Sequence, residues 1–544
     1  MLRLLFPLFA IAFAISAVQA AEPLPDFGVM LNDDGDLSFT SLDPQESARN
    51  VLAQVDSLAG TSVKTLMWSV GAGSEILYYP TKVANDWRWR PIAPAYEMEF
   101  GSWQRKAAAG LDAGVDPIRI AGERAKALGM FFVPSYRMND DHFIFDPVDY
   151  PLTGKFWIDN HDKMKIGESP QPADAHYGNL LDFTHPEVRH YRLDVIFEVI
   201  ERYEDNLDGI ELDFNRFQMI FPKDKGFERG HLVTEMIGQV RKRLDEAAER
   251  QGRPLYLFVR VPPSLADCHR MGYRIEDWMN PRIVDVILPS QLMTLAHDMP
   301  VRELVDICKP AGVAVMPSLY PRTSYMWPFL KNPKAEDYPR LPSRDVTPEL
   351  WRGAVANYWQ QGASGFQLFN FNLPADEWTH TILRDTASPL PTNLASRANK
   401  IFAITPGYYL DHTDTYEYKK QIPAIIKVGE PSTFTIQIGE DYSDPARKAA
   451  VDHCAIRLGF KKGIPLTGWS MELQANGMVL HKGPVDQKLI ETQGALVYFQ
   501  SEISDLAALY HGKNTLRIVL EGVPEASLEE VLVGVFFREH DLNL

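Results

Sequence analysis

Residues 207–216 read Leu-Asp-Gly-Ile-Glu-Leu-Asp-Phe-Asn-Arg. As a β-strand, this stretch sends successive side chains to opposite faces. Ile210, Leu212 and Phe214 share one face, while Glu211, Asp213 and Asn215 share the other. A face with two carboxylates and an amide in a row cannot pack against helices unless its polar groups are satisfied. A polar-lined barrel mouth or cleft would satisfy them. Such a strand fits an enzyme that works with carboxylates.

The chain begins Met1-Leu2-Arg3, runs apolar from Leu4 to Val18, and continues Gln19-Ala20-Ala21-Glu22-Pro23. A basic start, a short apolar run and an Ala-x-Ala-like site predict a secretory signal peptide over residues 1–20. The run is too short for a membrane anchor and is followed by Glu22 and Asp26. No later segment has the ~20 apolar residues of a spanning helix. The expectation is a secreted or periplasmic protein with no membrane anchor after cleavage. A net charge of −17 argues against nucleic acid as a partner, because a phosphate backbone attracts a basic face. Cys268, Cys308 and Cys454 are odd in number and too few for a disulfide framework.

Strand-like runs at 27–31, 63–68, 130–136, 207–214, 255–261, 284–289, 313–319 and 365–371 alternate with helical patterns at 44–58, 116–128, 186–203, 228–251, 301–311 and 348–361. The helix over 186–203 has Thr184 as a candidate cap, Pro186 and Glu187 in its first turn, and Val188, Tyr191, Val195 and Val199 at helical spacing. Glycine stops follow at Gly129, Gly252, Gly312 and Gly362. Eight strands alternating with helices predict an α/β fold, a (β/α)8 TIM barrel, over residues 21–395. An open doubly wound sheet is the structural alternative, and no glycine fingerprint follows its first strand. The long segments 71–115 and 140–181 would be loops at carboxyl ends of strands, where barrel sites are built. Past Pro391, helical periodicity fades and short β runs separated by turns such as Asn476-Gly477 predict an antiparallel β-sandwich over 400–544.

Polar residues at the strand ends are the site candidates. The fourth strand supplies Glu211, Asp213 and Asn215, with Arg216 just beyond. The third leads into Arg137, Asn139, Asp140 and His142; the fifth carries Arg260; Gln291 follows the sixth and Asn370 the eighth. The first ends in Asn32, Asp33 and Asp34. Glycoside hydrolysis needs one carboxylic acid to protonate the leaving oxygen and usually a second carboxylate as nucleophile or base. Residues two apart on a strand lie roughly 6.5–7 Å apart at Cα, so Glu211 and Asp213 could form the pair, with Asp140 as third candidate. The alternative is that either acid pairs with Arg137 or Arg260 to fill the barrel core. Arg137, Arg216 and Arg260 would balance the acids or receive an anionic substrate. Arg137, Asn139, His142, Asn215, Arg216, Arg260, Gln291 and Asn370 are the expected sugar-binding or acid-orienting residues. Trp68, Trp87 and Trp89 are candidate stacking residues. His142, His176 and Asp140 match no strong metal-ligand spacing, and the chemistry calls for no cofactor.

Asp208-Gly209-Ile210-Glu211-Leu212-Asp213-Phe214-Asn215 resembles the Asp-Gly-x-Asp-x-Asp-x-Glu strand of family 18 chitinases. Asn215 stands where that family has its proton donor, which argues against a substrate-assisted mechanism. The chain is more similar to the glycosyl-hydrolase-like family 10 barrels. Asp208-Gly209-Ile210 through Asp213, then Arg216-Phe217, fit that group's form, as do Arg137-Met138-Asn139-Asp140, the run from Asp182 to Arg189, and Phe369-Asn370-Phe371. The resemblance implies a (β/α)8 glycosidase-like fold acting on a poly- or oligosaccharide. Two other outcomes are a non-catalytic carbohydrate-binding barrel, favoured by Asn215, and a metal-assisted hydrolase acting on glycan substituents.

Overall fold

The computed structural model describes residues 23–73, 75–140, 148–167, 178–291, 294–322, 346–371, 377–387, 398–404, 421–493, 496–523 and 525–538. The first part of the chain builds one parallel sheet. Its strands are β1 (Val29–Asp33), β2 (Val63–Ser69), β3 (Phe131–Arg137), β4 (Gly209–Asp213), β5 (Tyr256–Val261), β6 (Val286–Pro289), β7 (Ala314–Val315), β8 (Ser318–Leu319) and β9 (Phe366–Phe369). They pair in the order β7-β6-β5-β4-β3-β2-β1-β9-β8. All eight expected strand positions are strands; the seventh comes as the two short pieces β7 and β8. Those two pieces are the ends of the sheet, and they are separated in the chain only by Met316 and Pro317. An isolated parallel bridge joins Ser290, just past β6, to Ser318 of β8.

The sheet is strongly curled. Three strands separate β4 from β9, so a flat sheet would hold them about 19 Å apart at the usual strand spacing. Yet Gln367 Nε2 of β9 donates to Glu211 Oε1 of β4 at 2.6 Å. The concave side is layered. Met30, Met67, Val133, Phe258, Val286, Leu288 and Met316, joined by Phe27 before β1, form an apolar plug toward the amino ends of the strands. Toward the carboxyl ends the inner residues turn polar: Asn32, Ser135, Arg137, Glu211, Asp213, Arg260 and Gln367 are all buried.

The helices of this part are α1 (Pro44–Asp56), α2 (Ser102–Asp112), α3 (Pro117–Ala127), α4 (Lys155–Met164), α5 (Pro186–Tyr203), α6 (Gly226–Gln251), α7 (Leu265–Met271), α8 (Val301–Cys308), α9 (Pro348–Gln361) and α10 (Glu377–Thr386). Local chemistry starts and stops them. Asp43, Asp116 and Thr347 accept backbone N–H bonds as N-caps of α1, α3 and α9. Gly252 and Gly362 end α6 and α9 in the left-handed conformation. Thr184 does not cap α5, whose N-cap is His185 without a side-chain bond; Thr184 Oγ1 instead accepts from Arg229 at 2.6 Å. The segments expected as loops carry structure of their own: α2 and a small sheet (Gly71–Ala72, Ile76–Leu77, Asn85–Asp86) lie in 71–115, and α4 lies in 140–181.

Aspartates lock the amino ends of the strands. Asp208 Oδ2 accepts from Phe132 N at 2.9 Å and Asp208 Oδ1 from Arg253 Nη1 at 2.9 Å. Asp285 Oδ2 does the same for Leu257 N at 2.8 Å and Arg241 Nη1 at 2.9 Å.

The later part of the chain is antiparallel. Strand β10 (Lys400–Ile404) pairs with β19 (Glu525–Phe537), which also holds β11 (Ala424–Lys427) and β13 (Val451–Lys461); β17 (Leu496–Glu502) and β16 (Ile490–Gln493) complete this sheet. A second sheet runs β12 (Ser432–Ile438), β18 (Gly512–Glu521), β14 (Ser470–Ala475), β15 (Met478–Pro484). Inward residues of both, such as Phe434, Ile436, Leu473, Ile456, Leu458 and Val533, share one apolar core. Helix α9 joins this core through Ala356 and the first through Leu350, Trp351 and Ala354.

Candidate active site

Strand β4 resolves into two faces. Ile210, Leu212 and Phe214 lie in the main apolar core with the helices. Glu211 and Asp213 point to the concave side, at the boundary between the apolar plug and the polar end. The register sets their neighbours: Ser135 of β3 and Phe258 of β5 flank Glu211, while Arg137 and Arg260 flank Asp213.

Among the described residues, Glu211 makes no close ion pair. Its Oε1 accepts from Gln367 Nε2 at 2.6 Å and its Oε2 from Asn32 Nδ2 at 3.4 Å. Burial, reinforced by the nearby Asp213 charge and opposed by Arg260, Ser135 and Gln367, pushes its carboxyl up to about 7. Asp213 is held quite differently. Arg260 Nη1 donates to its Oδ2 at 3.1 Å and the Asn215 backbone N–H to its Oδ1 at 2.9 Å, with Arg216 Nε 3.8 Å from Oδ2. Arg260 is itself boxed in: its guanidinium carbon lies 3.6 Å from the centroid of the Phe369 ring and its Nη2 donates to Ser290 Oγ at 3.3 Å. Burial lowers this guanidinium, against the pull of Asp213 and Glu211.

Above this pair sits a second group. Arg137 Nη1 donates to Asp140 Oδ2 at 3.1 Å and Arg137 Nη2 lies 2.9 Å from Asp34 Oδ1. Asp34 also pairs with Arg216, whose Nη2 donates to Asn370 Oδ1 at 3.0 Å. Burial works to raise Asp34, but the Arg216 and Arg137 guanidiniums outweigh it and bring the carboxyl down to about 2. The same two-sided balance acts on Arg137: burial would lower it, and Asp34 and Asp140 hold it above the ordinary range. Asn370 sits at φ 47°, a left-handed backbone that asparagine tolerates well.

The expected residues are placed in different ways. Glu211, Asp213, Asp140, Arg137, Arg216, Arg260 and Asn370 come together. Asn139 and Asn215 brace the surrounding chain: Asn139 Nδ2 donates to the Leu181 and Met219 carbonyls at 3.1 and 2.9 Å, and Asn215 Nδ2 donates to the Ser290 carbonyl at 2.9 Å while its Oδ1 accepts from Gln218. Gln291 is buried directly after β6. Trp68 and Trp87 are 0% and 1% exposed core residues with no ring face open to a sugar; Trp89 is half-buried with Arg90 stacked on it at 4.6 Å. His142 and His176 lie outside the described residues. Among the described residues, no group of three or more His, Cys, Asp or Glu comes together in a way that could hold a metal ion.

Gln367 escaped the sequence reading; Phe369 was seen only as part of the Phe369-Asn370-Phe371 run, without a role. Gln367 had a usable signal, a single amide inside the apolar run Phe366-Gln367-Leu368-Phe369. Asp34 was visible as a strand-end acid, but its role as the hub of two arginines was not.

No family model matches the chain, and no curated protein matches it. Solved structures do. The cycloisomaltooligosaccharide glucanotransferase of a Paenibacillus species aligns at 11% identity and a TM-score of 0.31, covering 94% of this chain and 57% of that one. The endo-β-1,4-mannanase of Thermotoga petrophila aligns at 10% identity and 0.42, covering 93% and 98%. A glycoside hydrolase family 18 N-acetylglucosaminidase of Paenibacillus barengoltzii aligns at 11% and 0.33, covering 66% and 99%. This chain therefore spans little more than half the length of the glucanotransferase. With identities and scores this low, the chemistry has to be read from the chain's own residues.

Proposed function

We propose that this protein is a glycoside hydrolase whose parallel sheet forms a (β/α)8 barrel over residues 21–395, with an accessory β-sandwich over 400–544. The bridge from Ser290 to Ser318, with β7 on β6 and β8 on β9, supports closure. The N-terminal 20 residues would direct export to the periplasm or beyond.

The observation that carries the proposal is the contrast between two inward carboxyls on one strand. Glu211, raised to about 7 by burial and by Asp213, holds a proton near neutral pH and can give it up, as a general acid must. Asp213 is a carboxylate in a buried ion pair with Arg260. In the proposed reaction Glu211 protonates the glycosidic oxygen as the bond from that oxygen to the anomeric carbon breaks. Asp213, with both oxygens already accepting hydrogen bonds, supplies negative charge beside the oxocarbenium-like centre. Water then adds to that carbon and its proton returns to Glu211. Asp140 holds Arg137 in place instead of acting on substrate.

A second reading is a sugar-binding barrel without turnover, favoured by the closure of Asp213 into a buried ion pair with Arg260 at 3.1 Å. Incubation with a panel of polysaccharides separates the two. Release of reducing ends supports hydrolysis; binding with no release over a long incubation supports the second reading.

A further inference from the structure

We propose that the outer end of this site selects uncharged polyhydroxyl ligands and that Asp34 is the acceptor responsible. The inference rests on the reading of the site as a glycan site and adds the class of glycan.

Depth comes first. Glu211 and the side chains of Asp140, Asp213 and Arg260 are 0–2% exposed. The side chain of Asp34 is 18% exposed, and Arg137 and Arg216 beside it are 8% and 7%. A ligand arriving from solvent meets this Asp–Arg–Arg group before it meets the acid pair.

Charge comes second. Each inner guanidinium already has a carboxylate: Arg137 has Asp34 and Asp140, Arg216 has Asp34, and Arg260 has Asp213. Three positive charges face three negative ones, and Glu211 adds a further negative charge whenever it ionises. The turn that carries Asp34 also carries Asp33 and Asp36. A uronate or sulfate would have to displace an existing pair inside a neutral-to-acidic group, while a hydroxyl would not.

The third observation is independent of charge. Asn32 Oδ1, Gln218 Oε1 and Gln367 Oε1 are buried acceptors with no hydrogen-bond partner among the described residues, and Arg216 Nε and Arg260 Nε are buried donors in the same position. All five belong to side chains more than nine-tenths buried, and their other ends bond Glu211, Asn215, Asp34 or Asp213. Buried polar atoms in proteins are almost always satisfied. Open acceptors and open donors around the same carboxylates suit a group that both gives and takes hydrogen bonds, which a sugar hydroxyl does and a carboxylate does not.

The test is calorimetric titration of the full chain with manno-, xylo- and cello-oligosaccharides on one side and oligogalacturonate and heparin fragments on the other. The wild-type chain is expected to bind a neutral oligosaccharide and to bind the acidic ones at least about tenfold more weakly, the scale of one charged hydrogen bond. Asp34→Asn, which leaves Arg137 and Arg216 short of a counter-charge, is expected to weaken the neutral ligand about tenfold or more and to strengthen the acidic ones. A wild-type preference for acidic glycans overturns the inference alone, whether or not the variant folds. So does unchanged neutral binding in a folded Asp34→Asn chain. Failure to bind any glycan overturns it together with the glycan reading.

Discussion

Glu211 is the proton donor of the proposed reaction, and its environment has a stability consequence. Its ordinary carboxyl value is 4.5 and the folded value is about 7. Between those values the folded chain holds a proton that the unfolded chain has released. The Glu211 contribution to stability is therefore full below about 4.5 and is lost as pH rises through about 7. Asp33, raised from 3.8 to about 7 by burial, adds to the same slope. Glu211→Gln removes the Glu211 share. It should unfold at higher denaturant than wild type at pH 8, by up to about 3 kcal/mol, with the difference disappearing at pH 4.5. Equal stability at both pH values would mean that Glu211 titrates normally. The tryptophans make a contrasting pair. Trp68 is fully buried, so Trp68→Ala should cost about 3–5 kcal/mol in denaturant unfolding. Trp89→Ala, at a half-buried position on a guanidinium, should cost less than about 1 kcal/mol.

At the scale of elements, the strands were legible because apolar runs bounded by glycine and proline are a local signal, and β4 was legible because its polar residues alternate. The inner face of β9 was less so: the lone amide Gln367 marks it, but its meeting with Glu211 depends on the curl of the sheet. The tryptophan-bearing segment 71–115 was expected to be a loop, and its aromatics looked like sugar platforms. It folds into a helix and a small sheet, with Trp87 packed on Trp103 at 4.8 Å; aromatics in ordered insertions are core first. Pairings between distant residues, such as Asp34 with Arg216, depend on how the sheet curls, and spacing in sequence does not encode that curl. One helix also ties the two halves of the chain together. Gly353 of α9 lies so close to β10 that an added Cβ would stand 2.1 Å from the Ile401 carbonyl oxygen. Gly353→Ala should therefore destabilise the chain by roughly 1–3 kcal/mol, through backbone displacement against β10. Denaturant unfolding checks this, and an unchanged midpoint would show that α9 and β10 can separate freely.

Over the whole molecule, the fold divides labour along the axis of the curled sheet. The amino ends are closed by an apolar plug and aspartate locks. The carboxyl ends gather three aspartates, three arginines and one protonatable glutamate. Where the strands end is legible in sequence; that their ends converge is a property of the tertiary fold. The most direct measurement is the release of reducing ends from a bound glycan by wild type and by Asp213→Asn. Wild type should cleave it, and the variant should remain folded, still bind, and turn over at least about a thousandfold more slowly. Turnover by a folded Asp213→Asn chain at the wild-type rate would contradict the account.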